Sequence, residues 1–148
     1  PRQFAENAYE QITDGRISGY VVAFDTALSV AYSGGGGERD WRLQNGGTVS
    51  AVTDNPDPKS KKALPVWASD KLGMVMDDIV LTPQRLYCVG HYQTSAKKPE
   101  LLVMTREDGT VISTAPVDGF PGFLGMSAAG NRLFVATREG KLICFEGK

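Results

Sequence analysis

The chain repeats itself. Gln84-Arg85-Leu86-Tyr87-Cys88-Val89 is echoed 47 residues later by Asn131-Arg132-Leu133-Phe134-Val135-Ala136. Upstream, Val66-Trp67 with Gly73 is echoed 46 residues on by Ile112-Ser113 with Gly119. Downstream, Leu102-Val103-Met104-Thr105 is echoed 40 residues on by Leu142-Ile143-Cys144-Phe145, and the seven residues of difference (47 against 40) fall in one loop, Tyr92 to Pro99. Copies of one unit joined by unequal loops describe a module that cannot bury its apolar faces alone and stacks on its neighbours. A weaker, earlier copy runs from Thr48–Thr53 to the segment that holds Trp67.

Within each copy the apolar residues come in short runs of β-formers closed by Gly, Pro, Asn or Asp. The runs are Gly19–Asp25, Ala27–Ser33, Thr48–Thr53 and Leu64–Ala68; then Met74–Leu81, Arg85–His91, Glu100–Thr105 and Thr110–Thr114. A third group holds Phe123–Ser127, Arg132–Thr137 and Lys141–Phe145. Seventeen glycines and eight prolines, spread along the chain, punctuate many short elements rather than a few long helices. Only Pro1 to Ile12 differs, with Phe4, Ala8, Tyr9 and Ile12 near a helical stripe. A period in the forties with four strands per unit predicts a β-propeller blade. The expected fold is therefore all-β, a partial β-propeller of about two and two-thirds four-stranded antiparallel blades. The blades occupy 19–68, 74–114 and 123–148, after an N-terminal segment 1–18.

The unit Asn131-Arg132-Leu133-Phe134-Val135-Ala136-Thr137-Arg138-Glu139-Gly140-Lys141-Leu142-Ile143-Cys144-Phe145 resembles the second strand, turn and third strand of quinoprotein-dehydrogenase-like propellers, also called pyrroloquinoline-quinone-like repeats. Leu64-Pro65-Val66-Trp67, with Gly73 beyond it, is similar to the tryptophan-docking element of that family. The resemblance covers the chain from near Leu64 onward and departs at Ser113, which stands where a docking Trp would sit. It implies a closed ring elsewhere in the family, whereas this chain holds fewer than three blades; propellers close with about 4–8. An open arc leaves sheet faces wet and edges unpaired. The expectation is a C-terminal part of a larger propeller, completed by its remaining blades, or a ring built from copies of this chain. Phe145-Glu146-Gly147-Lys148 reads as an end and Pro1-Arg2-Gln3, without Met, as a processed product or fragment.

Catalytic constellations are scarce. A nucleophile needs an adjacent base, and the only histidine, His91, lies three residues from Cys88 on one expected strand, so the two point to opposite faces. Gly125-Met126-Ser127-Ala128-Ala129 nearly spells a nucleophile elbow, but Gly130-Asn131 turns into a strand where the elbow needs a helix. One His and two separated Cys do not make a zinc site, and Asp54-Asn55-Pro56-Asp57-Pro58 reads as a polar turn. Gly34-Gly35-Gly36-Gly37 leads to Glu38 and Arg39 rather than to a phosphate-binding helix. No catalytic residue, metal ligand or cofactor is therefore expected. Cys88 and Cys144 read as buried thiols.

Binding is expected where loops vary on a rigid frame. The candidates are Asp77 and Asp78, adjacent carboxylates on an inner strand and read as solvated acids lining a channel, together with His91, Tyr92, Phe120 and Phe123. For Phe120 and Phe123 the structural alternative is a plug between blades.

Sixteen basic and 17 acidic side chains leave a net charge of -1, which argues against nucleic acid as partner. No apolar run reaches the about 20 residues of a membrane span. The expected function is a non-catalytic scaffold that binds a protein or ligand; the resemblance implies the periplasm or the cell exterior. The alternative it implies is part of a quinone-dependent dehydrogenase whose catalytic residues lie in missing blades. Such enzymes hold quinone and calcium in the central channel and carry an adjacent cysteine pair, which this chain lacks.

Overall fold

Where the sequence carries runs of β-branched and aromatic residues, the chain is extended. The computed structural model describes residues 12–13, 17–33, 46–55, 59–60, 62–93 and 96–146, and there every regular element is a strand. β1 (Ile12–Thr13) and β2 (Ser18–Gly19) pair as a short ribbon. β3 (Val21–Phe24), β4 (Ser29–Ser33), β5 (Thr48–Thr53) and β6 (Leu64–Ala68) form a four-stranded antiparallel sheet in chain order. β7 (Val75–Leu81), β8 (Arg85–His91), β9 (Glu100–Thr105) and β10 (Val111–Pro116) form a second. β11 (Pro121–Ala129), β12 (Arg132–Thr137) and β13 (Leu142–Glu146) form a third, of three strands. Each sheet is an open meander; the described strands close no barrel and no ring.

Ile12 is a correction: expected at the end of a helical stripe, it pairs with Gly19 in the ribbon. Phe4, Ala8 and Tyr9 lie outside the described residues, as do Gly34 to Gly37, Trp41, Pro56 to Pro58 and Lys61. The expected run Gly19–Asp25 is divided between β2 and β3.

The repeat is visible in the strand register. The row Ala23–Val30–Ala51–Trp67 across the first sheet matches Val80–Tyr87–Val103–Ser113 across the second. The row Leu81–Leu86–Met104 likewise matches Ala128–Leu133–Phe145 across the third. Strand alternation sends one face of the second sheet to each neighbour. Leu86, Cys88, Leu102 and Met104 pack with Val30 and Ala51, while Val89 and Leu101 pack with Met126, Leu133 and Val135. The first strands lie closest: β7 packs against β3 on one side and β11 on the other.

At the first interface the Trp67 indole closes the seam. Its Nε1–H donates to the Arg106 carbonyl at 2.9 Å, in the turn between β9 and β10. The ring rests on Gly109 of that turn, where a Cβ would fall 2.5 Å from Cε3; with φ at +71°, only glycine serves there on both counts. The Arg106 side chain continues the staple, donating from Nη1 to Asp25 Oδ2 at 2.6 Å and to the Thr82 carbonyl at 2.9 Å. Asp25 Oδ1 accepts the Ala27 and Leu28 amides in the β3–β4 turn, and the Arg106 guanidinium holds its carboxyl well below the usual carboxylate range.

Candidate functional site

A bulge decides where the two carboxylates go. In β7, Met76 pairs with Gly90 and Asp78 with Val89, so Asp77 is the extra residue. The inserted residue resets the alternation: Met76 and Ile79, three apart, share the first interface, and Asp78 is turned to the third sheet. Both acids then serve that second interface. Asp78 Oδ2 accepts the Met126 amide of β11 at 2.6 Å and Oδ1 accepts the Ile79 amide at 2.7 Å. Asp77 Oδ2 meets His91 Nδ1 at 2.6 Å and Oδ1 accepts from Arg138 Nη2 at 3.1 Å. Asp77 is 3% exposed and Asp78 5%. The expectation of solvated acids lining a channel is thereby corrected, because the bulge turns both inward. Burial pushes the Asp78 carboxyl up, opposed by its two backbone hydrogen bonds.

Around Asp77 a small surface assembles. With a carboxylate at Nδ1, that nitrogen is the donor of the bond to Asp77. The ring leans on Phe120 at 5.8 Å between centroids, and the Arg138 guanidinium lies over the same ring at 5.9 Å. Arg138 is anchored by donation from Nε to the Pro121 carbonyl at 3.0 Å. Glu139 accepts the Phe120 amide on both carboxylate oxygens at 3.1 Å, and that bond holds its carboxyl below the ordinary range.

The structure thus brings Asp77, His91 and Phe120 together, and places Tyr92 and Phe123 apart. The Tyr92 hydroxyl donates to Glu100 Oε2 at 2.6 Å, with Lys97 Nζ 4.7 Å over its ring, and the acceptor carboxylate pushes the phenol up to about 12. Phe123 belongs to a wider irregularity of β11, where Pro121 pairs with Thr137 but Met126 with Val135. The looped-out residues leave Phe123 and Leu124 more than half exposed, Leu124 at a φ of +52°. Phe120, at 44% exposed, is no plug between sheets, and neither is Phe123.

Arg138 is the residue that sequence reasoning missed. Its signal was present: at the shift of 47 that aligns Arg85 with Arg132, Arg138 is the counterpart of His91. Two equivalent strand ends of neighbouring sheets converge on one buried carboxylate.

Chemically the cluster orients an imidazole against a buried carboxylate. Among the described residues no serine, threonine or cysteine hydroxyl or thiol hydrogen-bonds to His91. Burial pushes the Cys88 thiol up, so it is an inert core group, while Cys144 is exposed and both are free. Among the described residues no three of His, Cys, Asp and Glu converge in a way that would hold a metal ion, and no helix is long and apolar enough to cross a membrane. No family model matches this chain, and no curated protein matches it either.

Proposed function

We propose that the chain is a non-catalytic β-propeller module, a rigid scaffold that binds a protein or ligand and works with further blades of a longer polypeptide or with copies of itself, in the periplasm or outside the cell. The observation that carries this is the use made of the acidic pair. Both carboxylates that would suit catalysis or a cation are buried and committed to joining the second and third sheets. A fan of sheets touching through β3, β7 and β11, in a shared register, supports the propeller arrangement. Among the described residues the outer edge of β13 has no partner strand, which suits pairing with a further strand. What remains for recognition is a frame whose loops and seams face solvent.

Two measurements test the proposal. Light scattering on the purified chain is expected to give a mass above that of one 15.9 kDa protomer, since open faces and edges associate. Adding pyrroloquinoline quinone with calcium is expected to leave the melting temperature unchanged; a saturable rise, with quinone absorbance carried on the protein, would replace the scaffold with the dehydrogenase.

A further inference from the structure

The seam between the second and third sheets lacks the group that closes the first seam. At the first, Trp67 covers a sealed floor: Val30, Ala51 and Met104 are each 1% exposed or less. At the second, Ser113 occupies the position of Trp67 in the register, and the counterparts Tyr87, Val103 and Phe145 are all partly open to solvent. Tyr87 and Val103 are larger than Val30 and Ala51, yet they do not make up an indole. A cleft of about 640 Å³ remains between the two sheets, with Ala115, Leu133 and Phe145 on its apolar walls. That volume lies within the range of small-ligand sites.

The rim adds a sign. Arg132 is paired with Glu146 at 2.9 Å, whereas the Arg85 guanidinium, also at the rim, donates from Nη1 to the Gln84 carbonyl and meets no carboxylate among the described residues. The cleft opens at the Arg85 end of β8 and the His91 cluster sits at its other end, about 20 Å away at about 3.3 Å per residue. The two are separate places.

We propose that this cleft takes the tryptophan side chain of an acidic segment of a partner polypeptide, its indole filling the space that Trp67 fills in the neighbouring seam and a flanking carboxylate pairing with Arg85. The inference deepens the scaffold reading by naming a docking site and the chemistry of its occupant. The molecule itself supplies the template: the equivalent seam is closed by an indole that donates to the Arg106 carbonyl and rests against Gly109 of the next sheet. A second copy of this chain or a free aromatic molecule is an alternative occupant that the test separates.

The test uses the whole chain and capped tripeptides followed by amide chemical shifts. Glu-Trp-Glu is expected to shift Tyr87, Val103, Ser113, Leu133 and Phe145 with saturation, Lys-Trp-Lys to bind at least about fivefold more weakly, and Glu-Ala-Glu not at all. Ser113→Trp is expected to plug the cleft with its own indole, raising Tm by about 3 °C and weakening Glu-Trp-Glu at least about tenfold. Ser113→Leu, a smaller plug, weakens it in the same direction should the larger side chain fail to fold. No saturable shifts, equal binding of Glu-Ala-Glu, or shifts centred on His91 would overturn the proposal. So would N-acetyltryptophanamide binding as tightly as the peptide, or shifts of these same five cleft residues on raising the protein concentration without peptide. Each of these outcomes leaves the scaffold reading standing, because that rests on mass and quinone binding.

Discussion

The two seams of this molecule are built from matching residues and are held by different forces. Between the first and second sheets an indole, a glycine turn and a largely buried arginine do the joining: Trp67, Gly109 and Arg106. Between the second and third, two buried carboxylates reach across to Met126 and Arg138, and the outer part of the seam stays open. The first seam is closed over its outer part by an indole, and the second is joined near its inner strands by hydrogen bonds to buried carboxylates. The apolar part of the first seam is insensitive to proton concentration and only its Arg106–Asp25 pair titrates, while buried carboxylates are costly unless fully satisfied. The comparison shows how a repeat can keep its register while its copies diverge in what they offer a partner.

The sharpest way to break the comparison is to remove the indole. Trp67→Ala is expected to cost about 3 kcal/mol in urea unfolding, from lost burial of a half-covered ring and one hydrogen bond. Faster amide exchange should then appear in β6 and the β9–β10 turn before it appears in β11. Protection lost first in β11 would mean that the seams are not independent.

Next in size is Asp78→Ala, which strands two buried amides, those of Met126 and Ile79. Its cost is expected to be about 2 kcal/mol. Because burial raises the carboxyl, ionising it works against the fold. The stability it contributes is full at low pH and declines as pH rises through the raised value. The penalty of the substitution should therefore be larger at about pH 4 than at about pH 7, and a penalty that grows with pH would refute this sign.

Asp25→Asn probes the first seam with the opposite sign. Its carboxyl is depressed by Arg106, so the stability is present above the ordinary value of about 4 and is lost as pH falls below it. Since Asp25 is more than a third exposed, screening reduces the effect to about 1 kcal/mol near neutrality. Melting curves of the two proteins should converge on acidification. The smallest effect is expected for Arg132→Ala, whose pair with Glu146 is exposed on both sides. A change of about 0.5 kcal/mol or less in the denaturant midpoint would fit, and a larger one would give the rim of the open cleft a structural role it lacks in the present geometry.

Strand positions were largely readable because β-formers and turn residues act over a few neighbours. Thr48–Thr53, Leu64–Ala68, Arg85–His91, Glu100–Thr105 and Arg132–Thr137 have the bounds expected of them. β11 was less readable. It begins at Pro121 rather than Phe123, since the looped-out stretch to Gly125 hides where pairing resumes. Of the candidate site, Asp77, His91 and Phe120 were chosen from residue type and place, and they do meet. Arg138 was overlooked because it lies 61 positions from Asp77, and only the repeat shift connected it to His91.

By itself the sequence determined the strands, their chain order and the recurrence of one unit, since all three follow from local propensity and from self-similarity at a fixed spacing. It also determined that Ser113 replaces an indole. Only the tertiary structure decided that the Asp77 bulge turns both acids into one seam, and that the missing indole leaves a cleft rather than a collapsed interface. Both depend on how three sheets are held apart by contacts elsewhere, and no window of neighbouring residues contains that distance.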